Sequence, residues 1–196
     1  MKDALDNPCA IVNAHCPFDY ALFKDAVCVI GVFDGVHIGH RHLISRAIDK
    51  AKEIGKRCVI ITFSVDPEEI FCPNKLKKLQ TNDERFKKLA SLGANSVAVL
   101  PFDKDFASLS PLQFLAKIFR KFPPAFIFVG SNFRFGKNAE GDVEVLKAWA
   151  DKNDVGVCAV DLLEFDGESV SSTRIRNLLK NKNEKEANKL LGVTII

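Results

Sequence analysis

Short apolar runs alternate with amphipathic stretches along most of the chain. Five of these runs carry no charged residue and are rich in β-branched or aromatic residues, and they occupy residues 26–33, 58–63, 96–102, 125–129 and 155–160. Apolar runs of this length without alternation are typical of strands buried on both faces of a parallel sheet. The pattern therefore predicts an α/β fold in which right-handed crossovers connect about five parallel strands, with helices on both faces.

Amphipathic segments between the runs predict the helices. Apolar residues recur at spacings of three and four between residues 40 and 54, and Gly55 ends the pattern. A capping box at residues 81–84 begins a second helix, and the charges between residues 75 and 88 are interpreted as its solvated face. Similar signals predict helices at residues 110–121, around 143–149, and at 171–180 and 184–191.

Composition indicates a single domain of ordinary size. The chain has 196 residues, of which 47% are hydrophobic, so it is long enough to bury one core. Residues 1–25 lack periodicity and predict an irregular lead-in with room for one short edge strand. We expect the domain to span residues 26–192, followed by a tail at 193–196.

Charge and hydropathy narrow the class of protein. A net charge of +3 gives no indication of a nucleic-acid or membrane surface, and nothing predicts a stable protein partner. No run approaches the roughly 18 apolar residues of a membrane span, and residues 1–26 lack a signal-peptide pattern, so we expect a cytoplasmic protein. The six cysteines are expected to be free thiols, because three of them fall in predicted strands.

The loop at residues 31–40 is the first candidate site. It lies between the first predicted strand and the first long helix, and it contains three glycines together with His37 and His40. The start of a helix offers free N–H groups and a positive dipole potential, which favour an anion. Two histidines acting as solvated caps are an equal alternative from this pattern alone. A zinc site is disfavoured, because two histidines are only half of a ligand set.

Two later loops have the residue types of ligand sites. Residues 130–136 place two phenylalanines and an arginine between glycines after a predicted strand, where they would stack a planar ring and pair with a phosphate. The alternative is that both phenylalanines pack under the loop. Residues 171–176 begin a helix with three hydroxyl side chains and two arginines, which exceeds the need of one cap and predicts a second anion site.

These motifs resemble those of a known family. Residues 31–40, with the sequence GVFDGVHIGH, resemble the signature of the HxGH nucleotidylyltransferases and, in fuller form, the adenylyltransferase module of bacterial FAD synthetases. The class I aminoacyl-tRNA synthetases share the HIGH tetrapeptide, but this chain is short and has no KMSKS sequence. Further matching pieces follow in the expected order, at Thr62, Phe63 and Pro67, at residues 130–136 with Gly141 and Asp142, and at 171–176 with 190–192.

The resemblance implies a Rossmann-like HxGH fold, a reaction and a set of site residues. The reaction is the transfer of AMP from ATP to FMN, which yields FAD and pyrophosphate with the help of Mg²⁺. The implied catalytic residues are His37 and His40 at the α-phosphate and Arg174 at the β- and γ-phosphates. The implied nucleotide contacts are Gly31, Phe33, Asp34, Gly39, Ser171, Ser172 and Thr173. The implied FMN contacts are Thr62, Phe63, Asn132, Phe133 and Arg134, with no dedicated metal ligands in the protein.

Two features depart from the family pattern. Where the family often has Thr-Phe-x-Pro-His-Pro, this chain has Val65 and Asp66 before Pro67, beside the presumed flavin site. An acid near an anionic phosphate is unfavourable unless Mg²⁺ or an arginine intervenes. The chain also ends at residue 196, where bifunctional relatives continue into a riboflavin kinase barrel, so we expect no phosphorylation of riboflavin. Two other functions stay open: a nucleotidylyltransferase with another phosphorylated acceptor, and a nucleotide-binding protein with a degenerate acceptor site.

Overall fold

Six parallel strands form the main sheet in a computed structural model that describes residues 9–13, 20–71 and 77–192. The strands are β1 (Ala10–Asn13), β2 (Val27–Ile30), β3 (Cys58–Phe63), β4 (Ser96–Leu100), β5 (Phe126–Gly130) and β6 (Gly156–Val160). Their order across the sheet is β1-β4-β3-β2-β5-β6, and all pairings are parallel. The predicted α/β class is confirmed, and β1 supplies a sixth strand within the lead-in.

Helices lie on both faces of this sheet. They are α1 (Ile38–Glu53), α2 (Pro67–Phe71), α3 (Asn82–Ala90), α4 (Lys104–Ala107), α5 (Pro111–Phe119), α6 (Val143–Asp151), α7 (Ser172–Lys180) and α8 (Glu184–Leu191). A small antiparallel hairpin, β7 (Glu164–Phe165) and β8 (Glu168–Ser169), precedes α7. The hairpin, α2 and α4 were not predicted, because elements of two to five residues are too short to show a period.

The alternation of side chains along the strands creates two cores. Cys28 and Ile30 of β2 face a cluster that includes Leu115 of α5 and Leu146 of α6. On the opposite face, Val27 and Val29 pack with Ile44 and Ala47 of α1 and with Leu89 of α3. The period of two in a strand thus explains why the central strands are apolar at every position.

A third, smaller cluster fixes the end of the chain near the start of α1. Val170, Ile175 of α7, and Ala187 and Leu190 of α8 are buried together. Ile38, at the first position of α1, packs against the same cluster. This contact brings the N-terminus of α7 close to the N-terminus of α1.

The strand order reverses beside β2, and this reversal positions the site. β2 pairs with β3 on one side and with β5 on the other, so the loops that follow β2 and β5 diverge at the carboxyl edge of the sheet. Ligands of open α/β sheets bind in the crevice at such a point.

No helix in the described part of the chain has both the length and the apolar character to cross a membrane. Cys9, Cys28, Cys58 and Cys158 are free thiols, and Cys16 and Cys72 lie outside the described residues.

Candidate functional site

The loop after β2 is held in an unusual backbone conformation. Phe33 and Val36 have positive φ values of 60° and 44°, and Gly35 has a φ of 82°. Such values are uncommon for residues other than glycine and concentrate at ligand sites. Phe33 is buried under the loop, and a Cβ atom at Gly31 would lie only 2.7 Å from its ring. Gly31 is therefore required for this ring to pack beneath the main chain.

His37 and His40 are stacked at the start of α1. Their ring centroids are 3.5 Å apart and their planes differ by 18°. The His40 backbone N–H donates to Nδ1 of His37 at 3.3 Å, which caps the helix. An imidazole nitrogen that accepts a hydrogen bond carries no proton, so in the neutral ring Nε2 is the donor.

Both histidines are neutral at physiological pH. His37 is only 4% exposed, and this burial lowers its pKa to about 4. Burial also lowers the pKa of His40 well below its usual range. A second cause is repulsion between the positive charges that the two rings would carry if both were protonated. Nδ1 of His40 is buried and has no hydrogen-bond partner among the residues that the structure describes. The pair offers polar ring atoms to a ligand without adding a full positive charge.

The N-terminus of α7 is bound to the loop after β2. Ser171 caps α7 by accepting from the Arg174 backbone N–H at 3.1 Å. The Ser172 hydroxyl donates to the Asp34 backbone carbonyl at 2.9 Å, and the Thr173 side chain is exposed at the cleft. Two helix N-termini therefore converge on one space, and their dipoles favour an anion there.

Asp34 and Arg176 form an ion pair beside this space. Nη2 of Arg176 donates to Oδ2 of Asp34 at 2.7 Å, and the Asp34 side chain is 7% exposed. Oδ1 of Asp34 also accepts from the Leu79 backbone N–H at 3.2 Å. Asp34, which was predicted to contact nucleotide, thus links three segments of the chain at the edge of the cleft.

Arg174 does not reach the cleft in this structure. Its Nη1 donates to the backbone carbonyls of Phe165 and Glu168, each at 2.9 Å, and its Nη2 donates to Oε1 of Glu186 at 2.9 Å. Arg174 therefore joins the β7-β8 hairpin to α8. The sequence grouped Arg174 with Arg176, and it is Arg176 that lines the cleft.

These elements enclose a polar cleft of about 370 Å³. All but three of the residues predicted for the site line it, and the three exceptions are Thr62, Phe63 and Arg174. The structure therefore brings predicted residues from three separate stretches of the chain together as neighbours in space. The cleft also contains Asp66, which the sequence placed beside the presumed flavin site, and Glu68 and Asp161, which the sequence did not indicate.

A second, apolar pocket of about 500 Å³ adjoins the polar cleft. Seven phenylalanines line it: Phe63, Phe71, Phe102, Phe106, Phe114, Phe133 and Phe135. Both cavities are lined by Gly31, Val32, Phe133 and Arg134, so they meet at these four residues. A flat aromatic group in the pocket would therefore lie next to an anion in the cleft.

The two phenylalanines of the loop after β5 lie in different environments. The sequence left open whether they pack under the loop or stack on a planar ligand. Phe135 is 5% exposed and packs on Phe114 with ring centroids 5.3 Å apart, so it lies under the loop. Phe133 stacks on Phe135 at 5.4 Å and keeps one side open to both cavities. The Arg134 side chain is 59% exposed, and its Nη1 lies 3.4 Å from Oδ2 of Asp142. Arg134 is thus exposed at the junction, where its described ion pair is with Asp142.

Thr62 and Arg85 support the junction from below. Thr62 is fully buried and its hydroxyl donates to the Val32 carbonyl at 3.1 Å. Arg85, on α3, is 2% exposed and donates from Nη1 to the same carbonyl at 2.8 Å and from Nη2 to the Phe63 carbonyl at 2.6 Å. The interpretation of the charges on α3 as a solvated face is wrong for Arg85. Its spacing of four residues from the buried Leu89 was the missed signal.

Asp66 belongs to the polar cleft. Its Oδ1 accepts from the Glu68 backbone N–H at 3.0 Å at the start of α2, and the residue is 8% exposed. Burial is the main cause that raises the pKa of this carboxyl group. Asp66 thus lines the polar cleft, while its neighbour Pro67 lines the apolar pocket.

Comparison with known proteins gives concordant matches. A family model described as FAD synthetase matches residues 20–174. A putative bifunctional riboflavin kinase/FMN adenylyltransferase of Geobacillus thermodenitrificans is 33% identical over 85% of this chain and 89% of its own length. An FAD synthetase of Listeria monocytogenes is 31% identical over 86% of this chain and 69% of its own length. A solved structure described as a macrolide-efflux protein from Streptococcus pneumoniae superimposes with a TM-score of 0.78 at 30% identity, covering 93% of this chain and 60% of that one.

Proposed function

The chain belongs to the FAD synthetase family, and we propose on this basis that it transfers AMP from ATP to FMN, forming FAD and pyrophosphate. The observation that carries the proposal is the meeting of a polar cleft and a phenylalanine-lined pocket at Gly31, Val32, Phe133 and Arg134. The polar cleft suits a triphosphate, and the pocket suits the isoalloxazine ring. The two reacting phosphates would then meet at the junction.

The reaction requires alignment more than proton transfer. An oxygen of the FMN phosphate attacks the α-phosphorus of ATP, a new P–O bond forms, and the bond to the departing pyrophosphate breaks. The attacking oxygen is already ionised at neutral pH, so no strong general base is needed. The protein must hold two anions in line and stabilise the charge that accumulates on the α-phosphate and on pyrophosphate.

We assign His37 and His40 to the α-phosphate. The hydrogen bond from the His40 backbone to Nδ1 of His37 leaves the Nε2 proton of His37 available for a phosphate oxygen. A pKa of about 4 for His37 supports a neutral donor in the free enzyme. Donors that are already oriented stabilise a transition state without the cost of reorganisation.

The N-terminus of α7 is assigned to the β- and γ-phosphates. Ser171, Ser172 and Thr173 line the cleft there, and Arg176 is the cation on this helix that faces it. We assign Arg174 a positioning role, because its contacts to Glu168 and Glu186 hold the hairpin and α8 in place. Asp34 would orient Arg176, and Gly39 would allow a phosphate to approach the start of α1.

The acceptor contacts are assigned around the junction. Phe63 and Phe133 would pack on the flavin ring, and Arg134, which lines both cavities, would pair with the FMN phosphate. Asn132 lies on the polar side and would contact the phosphates of either substrate. Thr62 acts indirectly, by holding the Val32 carbonyl.

Mg²⁺ would enter with ATP. The described residues include no cluster of three or more side chains that could hold a metal ion by themselves. Mg²⁺ retains several waters and binds through one or two carboxylates together with substrate phosphates, so it would not need a dedicated set of protein ligands. The ion would supply neutralisation of phosphate charge.

The test is a chromatographic assay of the purified protein with ATP and Mg²⁺. FMN, riboflavin and 4′-phosphopantetheine are supplied in parallel tubes. We expect FAD and pyrophosphate from FMN, and no adenylylated product from 4′-phosphopantetheine. Transfer to 4′-phosphopantetheine in place of FMN would establish a different acceptor, and binding of ATP without any transfer would establish a degenerate acceptor site.

A further inference from the structure

We propose that Asp66 is the protein's own ligand for the Mg²⁺ ion that accompanies ATP. The inference rests on the proposed function, since it concerns the metal complex of that substrate. Asp66 stands where the family motif often has histidine, so this ligand would be a property of this chain. A histidine is a poor ligand for Mg²⁺, which prefers oxygen donors, whereas a carboxylate is suitable.

One oxygen of Asp66 is available to the cleft. Oδ1 is occupied, because it accepts from the Glu68 backbone N–H at 3.0 Å. The Asp66 backbone N–H donates to Oε1 of Glu69 at 2.8 Å, so the residue is fixed from two sides. Within the described ranges, Oδ2 makes no hydrogen bond or ion pair, and the residue lines the polar cleft. The carboxylate is therefore oriented before any ligand binds.

Within the described ranges, no cation forms an ion pair with Asp66, although Arg176 and Arg85 act on its carboxylate from a distance. Arg176 is paired with Asp34 at 2.7 Å, and Lys78 is paired with Glu69 at 2.6 Å. Arg85 directs its Nη atoms to the carbonyls of Val32 and Phe63 and to the side chain of Asn82. Asp66, at 8% exposure, is thus a buried acid whose surrounding cations bind other groups.

A triphosphate in the cleft makes this position unfavourable unless a cation separates the two anions. In a site of reduced dielectric the repulsion between a carboxylate and a phosphate is stronger than in water. A Mg²⁺ ion held by Asp66 would turn this repulsion into attraction. Asp66 would supply one carboxylate oxygen, and the substrate phosphates and water would supply the other oxygen ligands that this ion prefers.

The experiment compares ATP binding with and without the metal. Isothermal titration calorimetry measures the Kd of ATP in excess MgCl₂ and in EDTA, with no FMN present, for the wild-type protein, Asp66→Asn and Glu68→Gln. Asparagine keeps the Oδ1 acceptor that caps α2, so the fold is retained. Glu68→Gln removes the same charge from the exposed neighbouring residue on the same wall of the cleft.

We expect the effects of Asp66→Asn to have opposite signs in the two conditions. Affinity for Mg²⁺-bound ATP should fall by about tenfold, because a metal ligand is lost. Affinity for metal-free ATP should rise, because a repelling charge is removed. Glu68→Gln should shift both affinities slightly in the same direction.

Failure of the inference and failure of the proposed function would give different results in this experiment. Equal shifts in both conditions for Asp66→Asn, or opposite shifts for Glu68→Gln alone, would overturn the inference while leaving the proposed function intact. Failure of the wild-type protein to bind ATP in either condition would overturn the proposed function and the inference with it.

Replacement of Mg²⁺ by Mn²⁺ gives a second readout. The electron paramagnetic resonance spectrum of Mn²⁺ with ATP and wild-type protein should differ from that with Asp66→Asn.

Discussion

His37 illustrates how one buried side chain couples the site to the stability of the fold. Its ring is 4% exposed, caps α1 through Nδ1 and stacks on His40. Burial keeps the ring neutral, and a neutral ring can donate to a phosphate while also accepting the capping hydrogen bond. The same burial makes protonation costly, so the residue that we propose to contact the α-phosphate is also sensitive to acid.

We expect His37→Gln to reduce the acid sensitivity of the fold. The pKa of His37 is about 4 in the folded protein and 6.5 in an unperturbed chain, so the unfolded state binds protons preferentially between these values. The free energy of unfolding therefore falls as pH decreases from about 6.5 to 4, and His37 accounts for up to roughly 3 kcal/mol of this loss. Urea denaturation at pH 7 and pH 4.5 should show a smaller difference in the variant. The matched control is His42→Gln, which changes a histidine on the same helix that lines neither cavity.

We expect His40→Ala to slow catalysis far more than it weakens ATP binding. A donor that acts mainly on the transition state contributes little to the ground state, so kcat should fall by about a hundredfold or more while the Kd of ATP changes modestly. Steady-state kinetics measures kcat, and calorimetric titration measures the Kd of ATP. A loss of affinity equal to the loss of rate would assign His40 to ground-state binding.

At the scale of elements, two helices hold the loop after β2 from opposite sides. α7 contributes the Ser172 hydroxyl and the Arg176 guanidinium, which both bind Asp34. α3 contributes Arg85, which binds the carbonyl of Val32. The backbone of this loop has positive φ values at Phe33 and Val36, so it depends on these supports to keep its conformation.

We expect Arg85→Met to destabilise the protein by about 2 kcal/mol or more, because the carbonyl groups of Phe63 and Val32 each lose a charged donor. Val32 keeps only the Thr62 hydroxyl of the two side-chain donors described. Its kcat should also fall, since the loop that carries His37 loses a support. Chemical denaturation and steady-state kinetics measure these effects. Lys87→Met, an exposed substitution on the same helix, should change stability by less than about 0.5 kcal/mol.

We expect Arg174→Met and Arg176→Met to affect different properties. Arg176→Met should lower kcat/KM for ATP by at least about tenfold, because a cation facing the phosphates is lost. Arg174→Met should mainly lower Tm, because the hairpin and α8 lose their common partner. Thermal denaturation measures Tm and steady-state kinetics measures kcat/KM for both variants. The comparison tells which arginine acts on the phosphates and which one positions the hairpin and α8. A larger loss of kcat/KM for Arg174→Met would return the catalytic role to Arg174.

At the scale of the whole molecule, the strand order brings two kinds of cavity together. β2 lies between β3 and β5, so the loop that follows it is shared by the polar cleft and the apolar pocket lined by phenylalanines. The pocket collects aromatic residues from positions 63 to 135, which lie on several separate elements. ATP and FMN would therefore occupy separate sites that touch only at the junction.

We expect Phe71→Ala to weaken FMN binding several-fold without changing the affinity for ATP. Phe71 lines the apolar pocket but not the polar cleft, and it is 65% exposed, so its removal leaves no buried cavity. Quenching of flavin fluorescence measures FMN binding, and calorimetry measures ATP binding. Leu112→Ala removes another exposed apolar side chain, at 60% exposure and outside both cavities, and should change neither affinity.

Local patterns in the sequence determined the parallel sheet, the starts of most helices and the loops that form the site. Apolar runs, capping boxes and glycine-rich turns act between residues close together in the chain, so they are visible without a structure. The matches of the 31–40 and 171–176 motifs determined the family in the same way.

Only the tertiary structure decided which side chains in these loops line the polar cleft. Arg174 and Arg176 are two residues apart on a helix, about 200° around its axis, so only one can face the cleft. The choice depends on Asp34, which lies 142 positions away from Arg176. The burial of Arg85, the open oxygen of Asp66 and the pocket of seven phenylalanines likewise arise from contacts between distant segments. Residue patterns specify local conformation, whereas long-range packing determines the partners of each charge.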